Sequence, residues 1–401
     1  MGLFFEDPLF EEFTMAFALG FTSHGELGLG EVRATCARIL DGNDDSWFAA
    51  WCETADRLVE AGDVSAKGGH TVSAREAYVR ASVSYAVAYH PLFGVPVDSR
   101  LVEAFGKQRS AFDKAAVLFD PAGESLVIPF DGAQMPAYFF HAPGTTGRRP
   151  LVVATNGYDA TLYELFLANA VPALRRGYHC LIFDGPGQGA VLFEQGIPIR
   201  ADWEAVVGPV IDAAVGREDV DPDRIVLVGT SLGGYLALRA ASGERRLAAC
   251  VADPGLLSIA SGMVGRLGAA GVSEEVIERY PDIPEDVLAP VAEAIHADRS
   301  LRWAVEQRGF WVHGVNSLAE YLRATVPFDL TDHIAAIRCP TAITAAENDP
   351  LARTGQQIYD ALPGKKALFR FQISEGAGDH CEVGNRSLLD QRIFDWLDEV
   401  L

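Results

Sequence analysis

Residues 224–235 read Arg-Ile-Val-Leu-Val-Gly-Thr-Ser-Leu-Gly-Gly-Tyr. An apolar run, Ile225 to Val228, meets a helix-like stretch through Gly229-Thr230-Ser231-Leu232-Gly233. A strand that becomes a helix within so few residues must turn sharply, and in a G-x-S-x-G pattern that turn holds the serine strained and exposed. Gly229 and Gly233 remove Cβ atoms that would collide in so tight a turn. The Ser231 hydroxyl then lies beside a helix N-terminus, where backbone N–H groups can stabilise a developing oxyanion. The same letters also occur as a plain Gly/Ser turn. The strand-like run before them and Tyr235-Leu-Ala-Leu-Arg-Ala-Ala241 after them favour a nucleophile.

A serine nucleophile needs a base, and the base needs a group that fixes its tautomer. In a fold with this turn the partners follow the serine, acid first and histidine second, each at the end of a later strand. After Thr341-Ala-Ile-Thr-Ala-Ala come Glu347-Asn348-Asp349-Pro350, and after Phe369-Arg-Phe-Gln-Ile-Ser come Glu375-Gly-Ala-Gly-Asp379-His380. Of nine histidines, His380 alone combines a strand-end position with a glycine-rich loop. Asp349 outranks Glu347 as the acid because its shorter side chain sits in a turn before Pro350, and Glu347 stays a competitor. Asp379 reads as a loop-structuring residue. The oxyanion needs Leu232 N–H and a second donor, for which Gly157 or Tyr158 in Asn156-Gly157-Tyr158-Asp159 stands in the right place. Asp184-Gly-Pro-Gly-Gln-Gly-Ala190 imitates a dinucleotide fingerprint, but Pro186 interrupts it and Val191-Leu-Phe-Glu does not clearly open a helix. A tight turn on the rim of the site is the better reading, and no cofactor is expected.

The chain has two textures. Up to about residue 117 it is helical: Trp47, Trp51 and Leu58 form one stripe, and Tyr78, Tyr85 and Tyr89 another, in a helix that the capping-box signal Ser73-Ala-Arg-Glu76 would open. From about residue 124, apolar runs alternate with amphipathic stretches. They are Leu126 to Phe130, Ala137 to His141, Leu151 to Thr155, His179 to Phe183, Ile225 to Val228, Ala249 to Ala252, Thr341 to Ala345 and Leu368 to Ile373. Alternation of this kind predicts a mostly parallel eight-stranded sheet with helices on both faces. The first two runs would form an antiparallel hairpin at its edge, joined by a loop slightly longer than Asp131-Gly132. Residues 255–330 break the rhythm in helical texture, as an inserted helical cap would. The expected domains are a helical N-terminal domain, 1–117, and an α/β core, 118–401, carrying the cap. Gly144-Thr-Thr-Gly-Arg-Arg149 reads as a surface loop.

Composition narrows the partners. A formal charge of −22 argues against nucleic acid and anionic membranes. Met1-Gly-Leu-Phe-Phe-Glu-Asp-Pro lacks a basic n-region and a cleavable apolar segment, and no apolar stretch would span a bilayer. The six cysteines are scattered without a C-x-x-C pair, so no metal site is expected and reduced thiols in a cytoplasmic protein fit.

Across nearly its whole length the chain resembles the α/β-hydrolases that carry an all-helical N-terminal domain. This group includes 2,6-dihydroxypseudooxynicotine hydrolase, fungal heptaketide-shortening hydrolases and FrsA-like esterases. The resemblance is carried by Gly68-Gly-His-Thr-Val-Ser-Ala-Arg-Glu-Ala77, Phe183-Asp-Gly-Pro-Gly-Gln-Gly189, Gly229-Thr-Ser-Leu-Gly-Gly234 and Gly376-Ala-Gly-Asp-His380. It implies a Ser231–Asp349–His380 triad, a small carbonyl substrate held between core, cap and N-terminal helices, and a homodimer. It also implies either C–C bond hydrolysis of a β-dicarbonyl or polyketide-type compound, or ester hydrolysis. Members that cleave C–C bonds use an extra carboxylate, for which Asp253 and Glu164 are candidates; Asp159 and His313 are further candidates for substrate contact. An acyltransferase or lactone-forming enzyme on the same triad is the alternative, and a non-catalytic receptor on this fold a more distant one.

Overall fold

The computed structural model describes residues 2–25, 27–144, 147–269 and 271–401. Thr145 and Thr146, in the expected surface loop, lie outside these residues. Eight strands form one sheet: β1 (Glu124–Phe130), β2 (Ala133–Phe140), β3 (Arg149–Thr155), β4 (His179–Phe183), β5 (Val220–Thr230), β6 (Ala249–Asp253), β7 (Thr341–Ala346) and β8 (Lys366–Phe371). Their order is β1-β2-β4-β3-β5-β6-β7-β8. β2 runs antiparallel to β1 and β4, and every pairing from β4 through β8 is parallel. Strands β4 and β6 are buried at every position, which is why their sequences are unbroken apolar runs and not alternating ones.

The hairpin is tighter than expected. Phe130 pairs with Ala133, so the loop is Asp131-Gly132 alone, with both φ angles positive at 46° and 83°. That is the backbone of a two-residue turn matched to strand twist, and glycine accommodates it readily. Strand β2 consequently begins four residues before the apolar run at Ala137.

Before the sheet, α1 (Asp44–Lys67), α2 (Thr71–Tyr89) and α3 (Ser99–Ala116) pack side by side. Helix α2 is the middle one and, beyond its exposed first turns, is buried on nearly all sides from Ala77 to Tyr89, so its tyrosines need polar partners inside the layer. Tyr78 and Tyr85 donate to Asp63 and Asp56 on α1, at 2.7 and 2.5 Å, and Tyr89 donates to Gln108 on α3 at 2.7 Å. The expected capping box is unused: α2 starts at Thr71 with His70 as its cap, and Ser73 and Glu76 lie inside it.

Core helices α4 (Trp203–Val215), α5 (Gly233–Gly243) and α6 (Arg386–Val400) flank the sheet. The segment between β6 and β7 is helical, closed at its neck by a bridge between Ser258 and Asp329. It touches the N-terminal helices through Trp303, whose indole N–H donates to His90 O at 2.8 Å and whose ring lies 4.8 Å from Phe13. The N-terminal segment follows this contact as a short helix, Pro8–Phe13, a π-turn, Thr14–Ala18, and a 3-10 turn, Thr22–His24. No helix among the described residues is long and apolar enough to cross a membrane.

Candidate active site

The turn between β5 and α5 is as tight as its glycines suggest. Ser231 has φ +62°, a conformation that costs a non-glycine residue on the order of 1–3 kcal/mol. A Cβ on Gly229 would stand 1.8 Å from Gly233 O, and one on Gly234 would stand 2.0 Å from Pro254 O. Ser231 N donates to Asp253 O at the end of β6, 2.6 Å away, fastening the turn to the neighbouring strand.

His380 reaches the serine from the loop after β8. Its Nε2 lies 2.9 Å from Ser231 Oγ and its Nδ1 lies 2.7 Å from Asp349 Oδ2. With a carboxylate at Nδ1, the proton sits there and Nε2 is free to accept from the hydroxyl. Asp349 is buried, and its other oxygen accepts from Leu351 N at 2.8 Å, so the carboxylate is held at both ends. Glu347 points elsewhere and accepts from Ile373 N at 2.9 Å. Asp379 is the acceptor for Asn348 Nδ2 at 3.3 Å, a contact within the loops. Burial opposes charge on His380, but Cys381 and Asp349 together hold its pKa well above the usual 6.5. Burial pushes the neighbouring Cys381 thiol up as well, so at neutral pH the charge facing His380 is that of Asp349.

The loop after β3 closes over the serine. A Cβ on Gly157 would come within 2.7 Å of Leu232 N and 3.1 Å of Ser231 Oγ, so only glycine leaves room for an atom to bind there. Gly157 N–H itself is committed to Asn156 Oδ1 at 3.1 Å. Gln188, in the turn that imitates a dinucleotide motif, donates to Asn156 O at 2.6 Å and braces the loop. That turn does open a helix, but one of five residues, Gly189–Phe193.

The remaining sequence candidates separate. Glu164 is buried in a capping box, accepting from Thr161 N at 2.8 Å and Thr161 Oγ1 at 2.6 Å, with Gln108 on its other oxygen. Its hydrogen bonds are spent on the helix start, so it is placed as a structural group. Asp253 is buried behind the turn, bound by Arg386 and Thr344 at 2.8 Å each, and does not face the serine hydroxyl. Asp159 is paired with Arg308 of the insertion, with two contacts of 2.9 Å. Tyr158 Oη meets His313 Nε2 at 2.6 Å, and burial holds His313 down to about 4, which makes the pair uncharged at neutral pH. The loop after β3 is thus fastened to the insertion at two consecutive residues.

Two groups had no sequence signal. Arg308 lies on a π-helical stretch, Arg302–Gly309, between Tyr158 and Trp303, with ring distances of 5.2 and 5.0 Å. Glu12, on the helix Pro8–Phe13, is accessible but makes no ion pair or hydrogen bond among the described residues. Burial, foremost, pushes its carboxyl pKa up; the charges of Arg308, Asp159 and His380 also act on it.

Among the described residues one group could hold a cation on ligand spacing alone: His141, His179 and Asp219, at the opposite ends of the strands. Its chemistry does not fit. Arg217 already binds Asp219 at 3.2 Å, and His179 Nδ1 accepts from Ala142 N, which puts the ring proton on the nitrogen that would have to ligate.

Comparison with known proteins agrees with this architecture. Residues 151–384 match the model of the alpha/beta hydrolase family. The chain is 34% identical over 391 residues to Hydrolase LUC6 of Fusarium sp, covering 92% of this chain and 91% of that protein. It is 31% identical to 20-hydroxy-prefusarin hydrolase FUS2 of Gibberella moniliformis, with coverage of 92% and 91%. Among solved structures, 2,6-dihydroxy-pseudo-oxynicotine hydrolase superposes with a TM-score of 0.73 at 23% identity, covering 95% of each chain.

Proposed function

The chain belongs to the alpha/beta hydrolase family, and on that premise we propose that it is a serine-nucleophile hydrolase that cleaves a C–C bond in a small β-dicarbonyl compound. The observation that carries a serine hydrolase is His380 bridging Ser231 Oγ and Asp349 Oδ2 at 2.9 and 2.7 Å. Ser231 attacks one carbonyl carbon while His380 Nε2 takes its proton and Asp349 stabilises the imidazolium. Leu232 N–H and Tyr158 N–H hold the oxyanion, because Gly157 N–H is already given to Asn156. Collapse of the tetrahedral adduct breaks the C–C bond, and the electron pair leaves on carbon as an enolate that His380 protonates. Water, activated by the same histidine, then releases the acyl group from Ser231.

Glu12 favours a carbon leaving group over an ester alkoxide. An enolate needs a hydrogen bond at its second oxygen, and Glu12, whose carboxyl burial pushes up and on which the charges of Arg308, Asp159 and His380 act, is the candidate donor. The relative named 20-hydroxy-prefusarin hydrolase FUS2 supports a small-molecule substrate. In this reading, residues 1–117 and the helical insertion form the walls of the site and the sheet carries its chemistry.

An aryl-substituted β-diketone and a p-nitrophenyl ester, assayed side by side, test the proposal. Turnover of the diketone to a ketone and a carboxylic acid is expected; turnover of the ester alone would overturn the C–C reading. The pH profile adds a second expectation. The base must be neutral, and the pKa of His380 is raised, so activity is present above that pKa and is lost as pH falls through it. The acid limb of kcat/KM should therefore lie above 6.5, the ordinary histidine value.

A further inference from the structure

Behind the site, on the side away from the cleft, lies a buried charge that the chemistry above does not use. Arg386, the first residue of α6, is 2% exposed. Its guanidinium donates to Asp253 Oδ2 at 2.8 Å, to Cys381 O at 2.8 Å and to Ala168 O at 3.2 Å. The first two contacts belong to the two loops that must stay in register. Asp253 closes β6 and its carbonyl accepts Ser231 N; Cys381 follows His380. The Cys381 thiol also leans on Asp253 O at 3.6 Å. Thr344, on β7, holds the other Asp253 oxygen.

The histidine loop needs such a hold. Cys381 and Glu382 both have positive φ, 53° and 50°, two consecutive strained residues directly after the base. Strain of that kind persists only where surrounding contacts over-determine the backbone, and among the described residues the charged side chain that donates to this stretch is Arg386. The charges facing the guanidinium are Asp253, Asp390 and Glu382. Burial and then Asp253 push Glu382 far toward its neutral form, which leaves the two aspartates as counter-charges. Asp390 is in turn bound to His24 Nε2 at 2.6 Å, and His24 Nδ1 to Leu167 O at 2.8 Å, so the N-terminal segment is fastened to the same network.

We propose that Arg386 is a positioning residue that sets the separation between the Ser231 turn and the His380 loop by binding both from behind. The proposal rests on the reading of Ser231 and His380 as nucleophile and base. Arg386 uses two nitrogens: Nη1 binds both Asp253 Oδ2 and Cys381 O, and Nη2 anchors the guanidinium by binding Ala168 O. Lysine keeps the charge but has one nitrogen on a flexible stem, so it cannot keep the two loop contacts and the Ala168 anchor together.

The test is Arg386→Lys in the full chain. Expected are a folded protein by circular dichroism, kcat lowered by about 100-fold with KM unchanged, and an acid limb displaced down toward 6.5 as the His380–Asp349 bond slackens. The low-field NMR proton of His380 Nδ1 should shift or broaden in the variant. Loss of activity only in proportion to loss of folded protein, with the acid limb and the low-field proton unmoved, would overturn the proposal. Should the lysine variant not fold, Asp253→Asn keeps an acceptor for Arg386 and removes its charge; the same direction of change is expected, and an unmoved acid limb and proton count against. Fluorophosphonate labelling of the wild type separates the two readings. An unlabelled Ser231 defeats the proposed function, while the proton signal still reports whether Arg386 holds the His380 loop.

Discussion

Ser231→Ala is expected to lower kcat on the order of a millionfold and to abolish labelling by a fluorophosphonate, with the fold intact by circular dichroism. The physical ground is that, among the described residues, Ser231 carries the one hydroxyl hydrogen-bonded to His380 Nε2. Ser231 Oγ lies 2.9 Å from the imidazole at the N-terminus of α5, in a backbone conformation that four glycines around it make sterically attainable. Alanine fits the same backbone, so the loss is one of chemistry. Residual turnover above the uncatalysed rate, from the oxyanion donors and substrate binding, would be about 10³–10⁴-fold. A variant that is labelled or active like the wild type would remove the nucleophile from the account.

Asp349→Asn should lower kcat by about 10⁴-fold while leaving KM almost unchanged. The amide keeps the shape and the contact with Leu351 N, but its NH₂ can face His380 Nδ1 only if the ring moves its proton to Nε2, where it can no longer accept from Ser231. Loss of the carboxylate also removes the charge that raises the histidine, so what activity remains should have its acid limb moved down. Glu347→Gln is the matched control. Glu347 accepts only from Ile373 N on an exposed loop, and its replacement should leave both kcat and the acid limb where they were. A larger effect at Glu347 than at Asp349 would reassign the acid.

The parts of this architecture that could be read from sequence are those governed by local pattern. Strands β4 and β6 are legible because a strand covered on both faces has to be apolar throughout, and turn residues bound it. His380 and Asp349 are legible because each follows a strand in the order that the Ser231 turn requires. The errors have local causes too. The Ser73-x-x-Glu76 signal marks a helix start only where the backbone N–H groups are free, and in α2 the helix already runs through them. The sequence suggests a longer hairpin loop because Ala133 to Pro136 show no unbroken apolar run, while their strand pairing comes from β1. Glu164 and Asp253 look like available carboxylates in a sequence, yet the protein has spent both on its own backbone and side chains. Glu12, Arg308 and Arg386 are illegible for the opposite reason. Their roles come from neighbours brought together across 133 residues or more, between segments whose own periodicity speaks only of packing.

The contacts that fasten the loop after β3 to the insertion carry a consequence for redesign. Tyr158 and Asp159 are bonded to His313 and Arg308, so the loop beside the nucleophile moves with the roof over it. A library aimed at new substrates gains little by varying positions next to Ser231, where the glycines tolerate nothing. It should instead vary 12–17 together with 303–313, while keeping the Asp159–Arg308 pair, because a roof exchanged without that pair would carry the oxyanion donor out of alignment. On the proposed reading, selectivity and rate are mechanically linked through these contacts, and a graft of the insertion alone would be expected to alter both at once.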